Sequence, residues 1–368
     1  MEQVEKQRGD MFLVMLLVVI LGVGIAILFS SSWSFSSRAY DDPLFLLKRQ
    51  LVWAALGGSA AFIVSLTPLS VFRHWMPVIL LGTLVAVLLP FLPRLGATVL
   101  GSRRWISVLG FSFQPSELVK LTLILYLASY FARREEGEPI SMNALIPPFI
   151  VTCMFAGIIL LQNDYSTAIF VLVIGLAMMY IAQVRLLQFF LVTLFTVPLG
   201  FLLLFTREHR VQRLLAFFDL SSHSSGIGYQ IITAKAALVS GGLFGKGLGR
   251  SAAKLGPLPM SYSDFIYTIV GEETGLLGAL SVLAMFALLA WRGYRIALLS
   301  KDRFSSFLAF GLTSALCLQA LLNMAVATGL VPTTGVTLPF FSAGGSSLFT
   351  TLIMCGLLVN LSRRVTDV

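Results

Sequence analysis

The chain has 368 residues, of which 57% are hydrophobic and 12% charged, about half the charged share of a soluble globular domain. That composition excludes a soluble enzyme and a disordered tail. The formal net charge of +9 does not point to nucleic acid, because Lys and Arg are scattered between apolar runs instead of gathered on one face.

Residues 1–10 carry mixed charge and precede an apolar run with no small-residue cleavage site behind it, which predicts a retained first helix, not a removable signal peptide. Apolar runs, of the length that crosses a hydrocarbon core of about 30 Å, occur at 11–30, 50–67, 76–92, 116–132, 145–161, 167–182, 187–205, 265–292, 304–328 and 344–361. The expected fold is therefore an all-α polytopic membrane protein of ten transmembrane helices. No internal repeat or second soluble domain is visible, so residues 1–368 read as one membrane domain.

With the N-terminus inside, short cytoplasmic segments carry twice as many Lys and Arg as short outer loops, among them Lys6, Arg8, Arg73, Arg134, Arg292 and Arg303. The outer loops carry Arg38, Lys48, Arg49, Arg94, Arg103 and Arg104. Both termini are thus expected in the cytoplasm. The segment between the seventh and eighth helices, about 206–264, is the one large extracytoplasmic loop, and chemistry is expected there. Cys153, Cys317 and Cys355 lie in apolar stretches and predict neither disulfide nor metal. His74, His209 and His223 are dispersed and receive no role.

Five ionisable residues fall within or at the ends of apolar runs: Glu117, Lys120, Asp164, Glu272 and Glu273. Each would cost about 2.5 to 3.5 kcal/mol facing lipid at mid-helix, so they must face a polar interior or an interface. Glu117 and Lys120, spaced i, i+3, share a helix face and either bridge structurally or line a cavity. Asp164, in a polar break before the next apolar run, either caps that helix or meets a substrate. Glu272 and Glu273 point about 100° apart, so they cannot both address one ligand.

The stretch from Gly241 to Arg250 is Gly-Gly-Leu-Phe-Gly-Lys-Gly-Leu-Gly-Arg, followed by Lys254. Its amides and the cations Lys246, Arg250 and Lys254 suit a diphosphate, yet it matches no nucleotide-binding pattern and reads equally as a flexible loop. Asp264, directly before Phe265-Ile266-Tyr267, sits where the chain re-enters the membrane. It is either a helix cap or a partly desolvated carboxylate suited to general-base work.

Several separated motifs resemble those of the SEDS family (shape, elongation, division and sporulation). They are Gly101-Ser102-Arg103-Arg104-Trp105-Ile106, Gln114-Pro115-Ser116-Glu117 with Lys120, Gly228-Tyr229-Gln230, the glycine-rich stretch, Leu258-Pro259, Ser263-Asp264-Phe265-Ile266-Tyr267, Glu272-Glu273-Thr274-Gly275, and Leu338-Pro339-Phe340-Phe341-Ser342-Ala343-Gly344-Gly345-Ser346-Ser347. The stretch 247–255 is more similar to the division branch than to the elongation branch.

That resemblance implies a peptidoglycan glycosyltransferase of the bacterial cytoplasmic membrane, polymerising lipid II with release of undecaprenyl pyrophosphate at its outward face. It implies Asp264 as the catalytic residue, which sets the cap reading aside. It also implies Arg103, Arg104, Glu117, Lys120, Asp164, Lys246, Arg250, Lys254 and Ser346 as substrate-binding candidates. One carboxylate suffices, since a pyrophosphate leaves without an acid proton, and the leaving charge calls for cations. No cofactor is required by the sequence, although a divalent cation such as Mg would suit that charge. The implied partners are a class B penicillin-binding transpeptidase and other divisome or elongasome proteins.

Two departures from the family pattern stand out. Asn163-Asp164-Tyr165-Ser166-Thr167 replaces Pro-Asp-x-Gly-Thr, and Ser261-Tyr262-Ser263 replaces Glu-His-Thr before the aspartate. Two competing readings are a lipid II flippase, since intramembrane charges mark substrate paths, and a non-enzymatic scaffold, which would not require Asp264.

Overall fold

The computed structural model describes residues 10–365 except 94–95, 100–101, 109–110, 134–141, 183, 206, 220–225 and 257. Lys6, Arg8, Arg94, Gly101, Arg134 and His223 therefore lie outside the described residues. All ten expected apolar runs coincide with helices: α1 (Met11–Tyr40), α2 (Phe45–Leu66), α4 (Met76–Leu88), α5 (Pro115–Phe131), α6 (Met142–Leu161), α7 (Tyr165–Ile181), α8 (Leu186–Leu204), α11 (Ile266–Leu299), α12 (Arg303–Ala327) and α13 (Gly345–Ser362). Six of them, α1, α2, α6, α11, α12 and α13, are long and apolar enough to cross a membrane. Helices α4, α7 and α8 are apolar but shorter, and α5 carries Glu117 and Lys120.

Three helices lie outside those runs: α3 (Leu69–His74), α9 (Glu208–Phe218) and α10 (Ile227–Ser240). The last two occupy the segment expected to be a loop. An antiparallel sheet was not expected either. It comprises β1 (Gly96–Val99), β2 (Ser102–Val108) and β3 (Phe111–Phe113) in the order β1-β2-β3, with Ala97 opposite Trp105 and Ser107 opposite Ser112.

Small residues let the helices close up, the means by which helices associate when lipid is as apolar as their side chains. A Cβ on Gly356 of α13 would stand 2.4 Å from the Ala61 carbonyl oxygen of α2, and one on Gly24 of α1 would stand 2.5 Å from the Phe340 oxygen. The described ends of the chain meet at one end of the bundle. There the Asp10 amide donates to Ser362 Oγ at 3.3 Å, and the buried Asp10 carboxylate pairs with Arg292 of α11 at 2.7 Å. Asp10 also caps α1, accepting from the Leu13 amide.

Helix α11 is broken at Gly275, whose backbone (φ 71°, ψ −167°) lies where residues with a side chain are strained. The glycine-rich loop is stitched into that break. Lys246 N donates to the Glu272 carbonyl and Gly247 N to the Glu273 carbonyl, both at 3.0 Å, while Leu276 N donates to the Gly242 carbonyl at 2.9 Å.

Candidate active site

A cavity of about 1500 Å³ opens among β2, α5, α7, α9, the start of α11 and the segment 332–347. Asp264 stands at its floor in a turn where its amide donates to the Met260 carbonyl at 3.1 Å. That turn is stapled from below. Asn323 Nδ2 of α12 donates to the carbonyls of Asp264 (3.0 Å) and Val336 (2.8 Å), and Ser342 Oγ donates to the Ser263 carbonyl at 2.6 Å.

The carboxylate does not cap α11, whose first turn has no side-chain cap. Instead it accepts one hydrogen bond, from Ser263 Oγ at 2.9 Å. Burial pushes its pKa above the ordinary carboxylate value, against the Ser263 hydrogen bond and the charges of Arg104 and Arg213, which favour the ionised form. Nearby, burial pushes the Tyr262 phenol up to about 12.

Strand alternation sorts the two adjacent arginines of β2, since successive side chains leave a strand on opposite faces. Arg104 lines the cavity and pairs with Asp164 at 3.2 Å, whereas Arg103 is exposed and outside the cavity lining. Asp164 caps its helix, as one of its sequence readings has it, and also lines the cavity. Its Oδ1 caps α7 by accepting from the Thr167 amide, and its Oδ2 meets Arg104 and accepts from Gln114 Nε2 at 2.9 Å. Its neighbour Asn163 has φ 63°, which a proline ring cannot adopt. The departure from the Pro-Asp pattern is thus a true change of local backbone.

Glu117 and Lys120 form a buried ion pair of 2.7 Å at the cavity wall, and Lys120 Nζ also donates to Gln319 Oε1 of α12 at 2.7 Å. Bridge and cavity lining are again one arrangement. Ser346 stands behind the wall, accepting from the Gln114 amide at 2.9 Å, while its neighbour Ser347 lines the cavity.

The cations of the glycine-rich loop do not line the cavity. Lys246 pairs with Glu272 and Lys254 with Glu273, each at 2.7 Å, and Glu273 also accepts from Ser30 Oγ of α1 at 2.6 Å. Arg250 is exposed. Three amides of this loop are taken up by the protein itself, those of Lys246 and Gly247 by α11 carbonyls and that of Gly249 by Ser30 Oγ. Two of its glycines serve close packing: a Cβ on Gly245 would lie 2.2 Å from the Glu273 carbonyl oxygen, and one on Gly241 would lie 2.1 Å from that of Gly271. Lys246, Arg250 and Lys254, expected among the substrate-binding residues, thus stand outside the cavity lining. Glu272 and Glu273, expected to address different partners, both reach this loop and meet at Ser251, whose Oγ donates to Glu272 and whose amide donates to Glu273.

In their place the cavity holds Arg49, Arg207, Arg210 and Arg213, none of which the sequence reading singled out. The signal was present in the i, i+3, i+6 spacing of the last three, ahead of Leu214, Leu215, Phe217 and Phe218. Among the described residues no group of three His, Cys, Asp or Glu side chains is placed to hold a metal ion. The cavity carboxylates Glu117 and Asp164 are engaged by cations, so these residues do not fit a protein-held divalent ion.

The family model described as "Cell cycle protein", covering FtsW, RodA and SpoVE, matches residues 10–367. The chain is 37% identical over 356 residues to a probable peptidoglycan glycosyltransferase FtsW of Geobacter sp. (strain M18), covering 97% of each. It is 34% identical to stage V sporulation protein E of Bacillus subtilis (strain 168), covering 98% of each. Among solved structures, it resembles a chain of a peptidoglycan synthase complex that coordinates polymerization and crosslinking (TM-score 0.78, 27% identity, 96% of this chain and 98% of that one). It also resembles the rod shape determining protein RodA of Thermus thermophilus (TM-score 0.68, 26% identity, 98% of each). With matched motifs, fold and nearly full-length coverage in agreement, the chain belongs to the SEDS family of multi-pass membrane proteins and is FtsW-like within it.

Proposed function

We propose that this chain is a peptidoglycan glycosyltransferase that polymerises lipid II, with Asp264 as the general base. The observation that carries this reading is a desolvated carboxylate at the floor of a cavity otherwise rich in arginine. An acceptor sugar hydroxyl placed against Asp264 gives its proton to the carboxylate as its oxygen attacks the donor's anomeric carbon. The bond from that carbon to the pyrophosphate oxygen breaks, and undecaprenyl pyrophosphate departs with the electron pair. A raised pKa makes Asp264 a stronger base than a solvated carboxylate. Arg104, held by Asp164 and close enough to act on Asp264 electrostatically, keeps positive charge beside the reacting groups.

We place the cavity on the outer face of the bacterial cytoplasmic membrane and both termini inside. The cation distribution along the sequence supports this, as does the meeting of Asp10 and Ser362 at one end of the bundle. The partner we assign is a class B penicillin-binding transpeptidase, in keeping with a structural relative that belongs to a complex coupling polymerization to crosslinking.

The test supplies labelled lipid II to the purified chain with its transpeptidase and compares wild type with Asp264→Asn. Polymer from wild type, and a loss of at least about a hundredfold in the folded, lipid-binding variant, is the expected result. Equal polymer from both removes the general-base role, and none from either returns weight to lipid transport or scaffolding.

A further inference from the structure

Helix α12 presents two buried amides to the cavity wall. Gln319 and Asn323 are four residues apart and so share one helix face, and they are 5% and 0% exposed. Their nitrogens hold consecutive residues of the segment 332–347. Gln319 Nε2 donates to the Thr337 carbonyl at 3.0 Å and to its hydroxyl at 3.2 Å, and Asn323 Nδ2 donates to the Val336 carbonyl at 2.8 Å. Each side chain also reaches a second element. Gln319 Oε1 accepts from Lys120 of α5 at 2.7 Å, where Lys120 is paired with Glu117, and Asn323 Nδ2 donates to the Asp264 carbonyl at 3.0 Å. The two amides are rungs that join the buried ion pair, residues 336–337 and the Asp264 turn to one helix.

Asn323 has no freedom to turn over, because both of its partners are carbonyl oxygens and only the amide nitrogen can face them. Its Oδ1 is left buried without a hydrogen-bond partner among the described residues, a cost that the two bonds of Nδ2 offset. The residues it joins stand on either side of one gap. Asp264 Oδ1 accepts from Ser263, and Oδ2 faces Gly335, where φ is 76° and an added Cβ would stand 3.5 Å from that oxygen. Gly335, Val336 and Asp264 all line the cavity.

We infer that Asn323 and Gln319 are positioning residues, which fix the gap between Asp264 and Gly335 by holding both of its sides to α12. The inference rests on the polymerase reading, in which an acceptor hydroxyl must lie within about 2.6 to 3.2 Å of the base. A misplacement of about 1 Å can lower the rate about a hundredfold. Asn323 acts on Asp264 directly, through its carbonyl, whereas Gln319 acts at one remove, through Thr337. The Glu117–Lys120 pair then has a task at the wall besides meeting a substrate: Lys120 fixes the orientation of the Gln319 amide.

The test compares Asn323→Ala, Asn323→Ser, Gln319→Leu and Cys317→Ala in the purified full chain. Cys317, buried on α12 and outside the cavity lining, reports what loss of packing in that helix does by itself. With labelled lipid II and the transpeptidase, Asn323→Ala should lower kcat about tenfold or more while lipid II binding stays within about twofold. Asn323→Ser keeps one donor and should recover part of that loss, and Gln319→Leu should lower kcat less than Asn323→Ala. Titration of the Asp264 carboxyl, followed by infrared difference spectroscopy and assigned by its absence in Asp264→Asn, needs no activity. Loosening the turn admits water to a carboxylate whose burial holds its pKa up, so the midpoint should fall in Asn323→Ala. Arg104 of β2, Arg213 of α9, and Ser263 and Tyr262 of its own turn, the groups that bear on this carboxylate, are unchanged in every variant. A kcat loss matched by an equal loss of lipid II binding, a loss equal to that of Cys317→Ala, or an unmoved midpoint overturns the inference. Thermal unfolding identifies a variant that fails to fold, and Asn323→Ser then decides the question. Polymer absent from wild type with the midpoint shift intact counts against the polymerase reading alone.

Discussion

Two sets of cations occupy the segment between α8 and α11, and the protein treats them oppositely. Lys246 and Lys254 each meet one buried glutamate, Glu272 and Glu273, and the amides of Lys246, Gly247 and Gly249 are taken by α11 carbonyls and Ser30. Arg207, Arg210 and Arg213 line the cavity that also holds Asp264. A carboxylate supplied for each buried lysine marks a fastening, while arginines lining a cavity around a desolvated base favour an anionic occupant.

The largest effect expected on stability lies in the fastening. Glu273→Gln strands the buried Lys254 ammonium and weakens the tie to Ser30 of α1. Breaking one partner of a buried pair costs about 3 to 5 kcal/mol. Thermal unfolding in detergent should show a clear loss for this variant, with polymerisation falling because Asp264 lies only nine residues earlier on the same chain. Arg213→Gln should leave thermal stability nearly unchanged, since it relieves like-charge crowding while removing a cation. Equal destabilisation by the two substitutions would erase the distinction between fastening and cavity lining.

The outcome shows which features a one-dimensional reading reaches. The ten apolar runs announce themselves by length, and all became helices. Asp264 was legible from its place before Phe265-Ile266 and from the family motif. The glycine-rich loop misled because glycines that admit a phosphate and glycines that admit another backbone look alike in sequence; only the approach of Gly245 to Glu273 and of Gly241 to Gly271 separates them. Helix α9 was hidden by its polarity, which made it resemble loop until its arginine spacing was seen on a helix. The sheet of 96–113 escaped because its strands are only four, seven and three residues long.

A second, smaller effect concerns pH. Asp264 must be ionised to accept a proton, and burial already raises its pKa, with Arg104 among the charges that hold it down. Arg104→Gln removes that restraint, so the acid limb of the kcat/KM profile should move to higher pH. The sign for stability is opposite to that of a salt-bridged carboxylate. A raised folded-state pKa means that protonation favours the native state, so this group's contribution grows as pH falls and is lost as pH rises through the folded value. Asp264→Asn should remove that dependence. An acid limb that moves to lower pH in Arg104→Gln would show that Arg104 does not act on Asp264 as a stabilising charge.

The smallest expected effect is the most discriminating between sequence and structure. Arg250 belongs to the same glycine-rich stretch as Lys246 and immediately precedes Ser251, Ala252 and Ala253, whose groups all reach Glu272, yet its own side chain is exposed and outside the cavity lining. A surface substitution of this kind changes stability by no more than about 0.5 kcal/mol. Arg250→Gln should accordingly leave thermal unfolding and the KM for lipid II unchanged, while Arg210→Gln, one helix away, raises that KM. A rise in KM for Arg250→Gln comparable to that of Arg210→Gln would mean that the loop reaches the substrate after all, as the motif alone suggested, and that the cavity in use extends beyond α9 to the loop's outer edge.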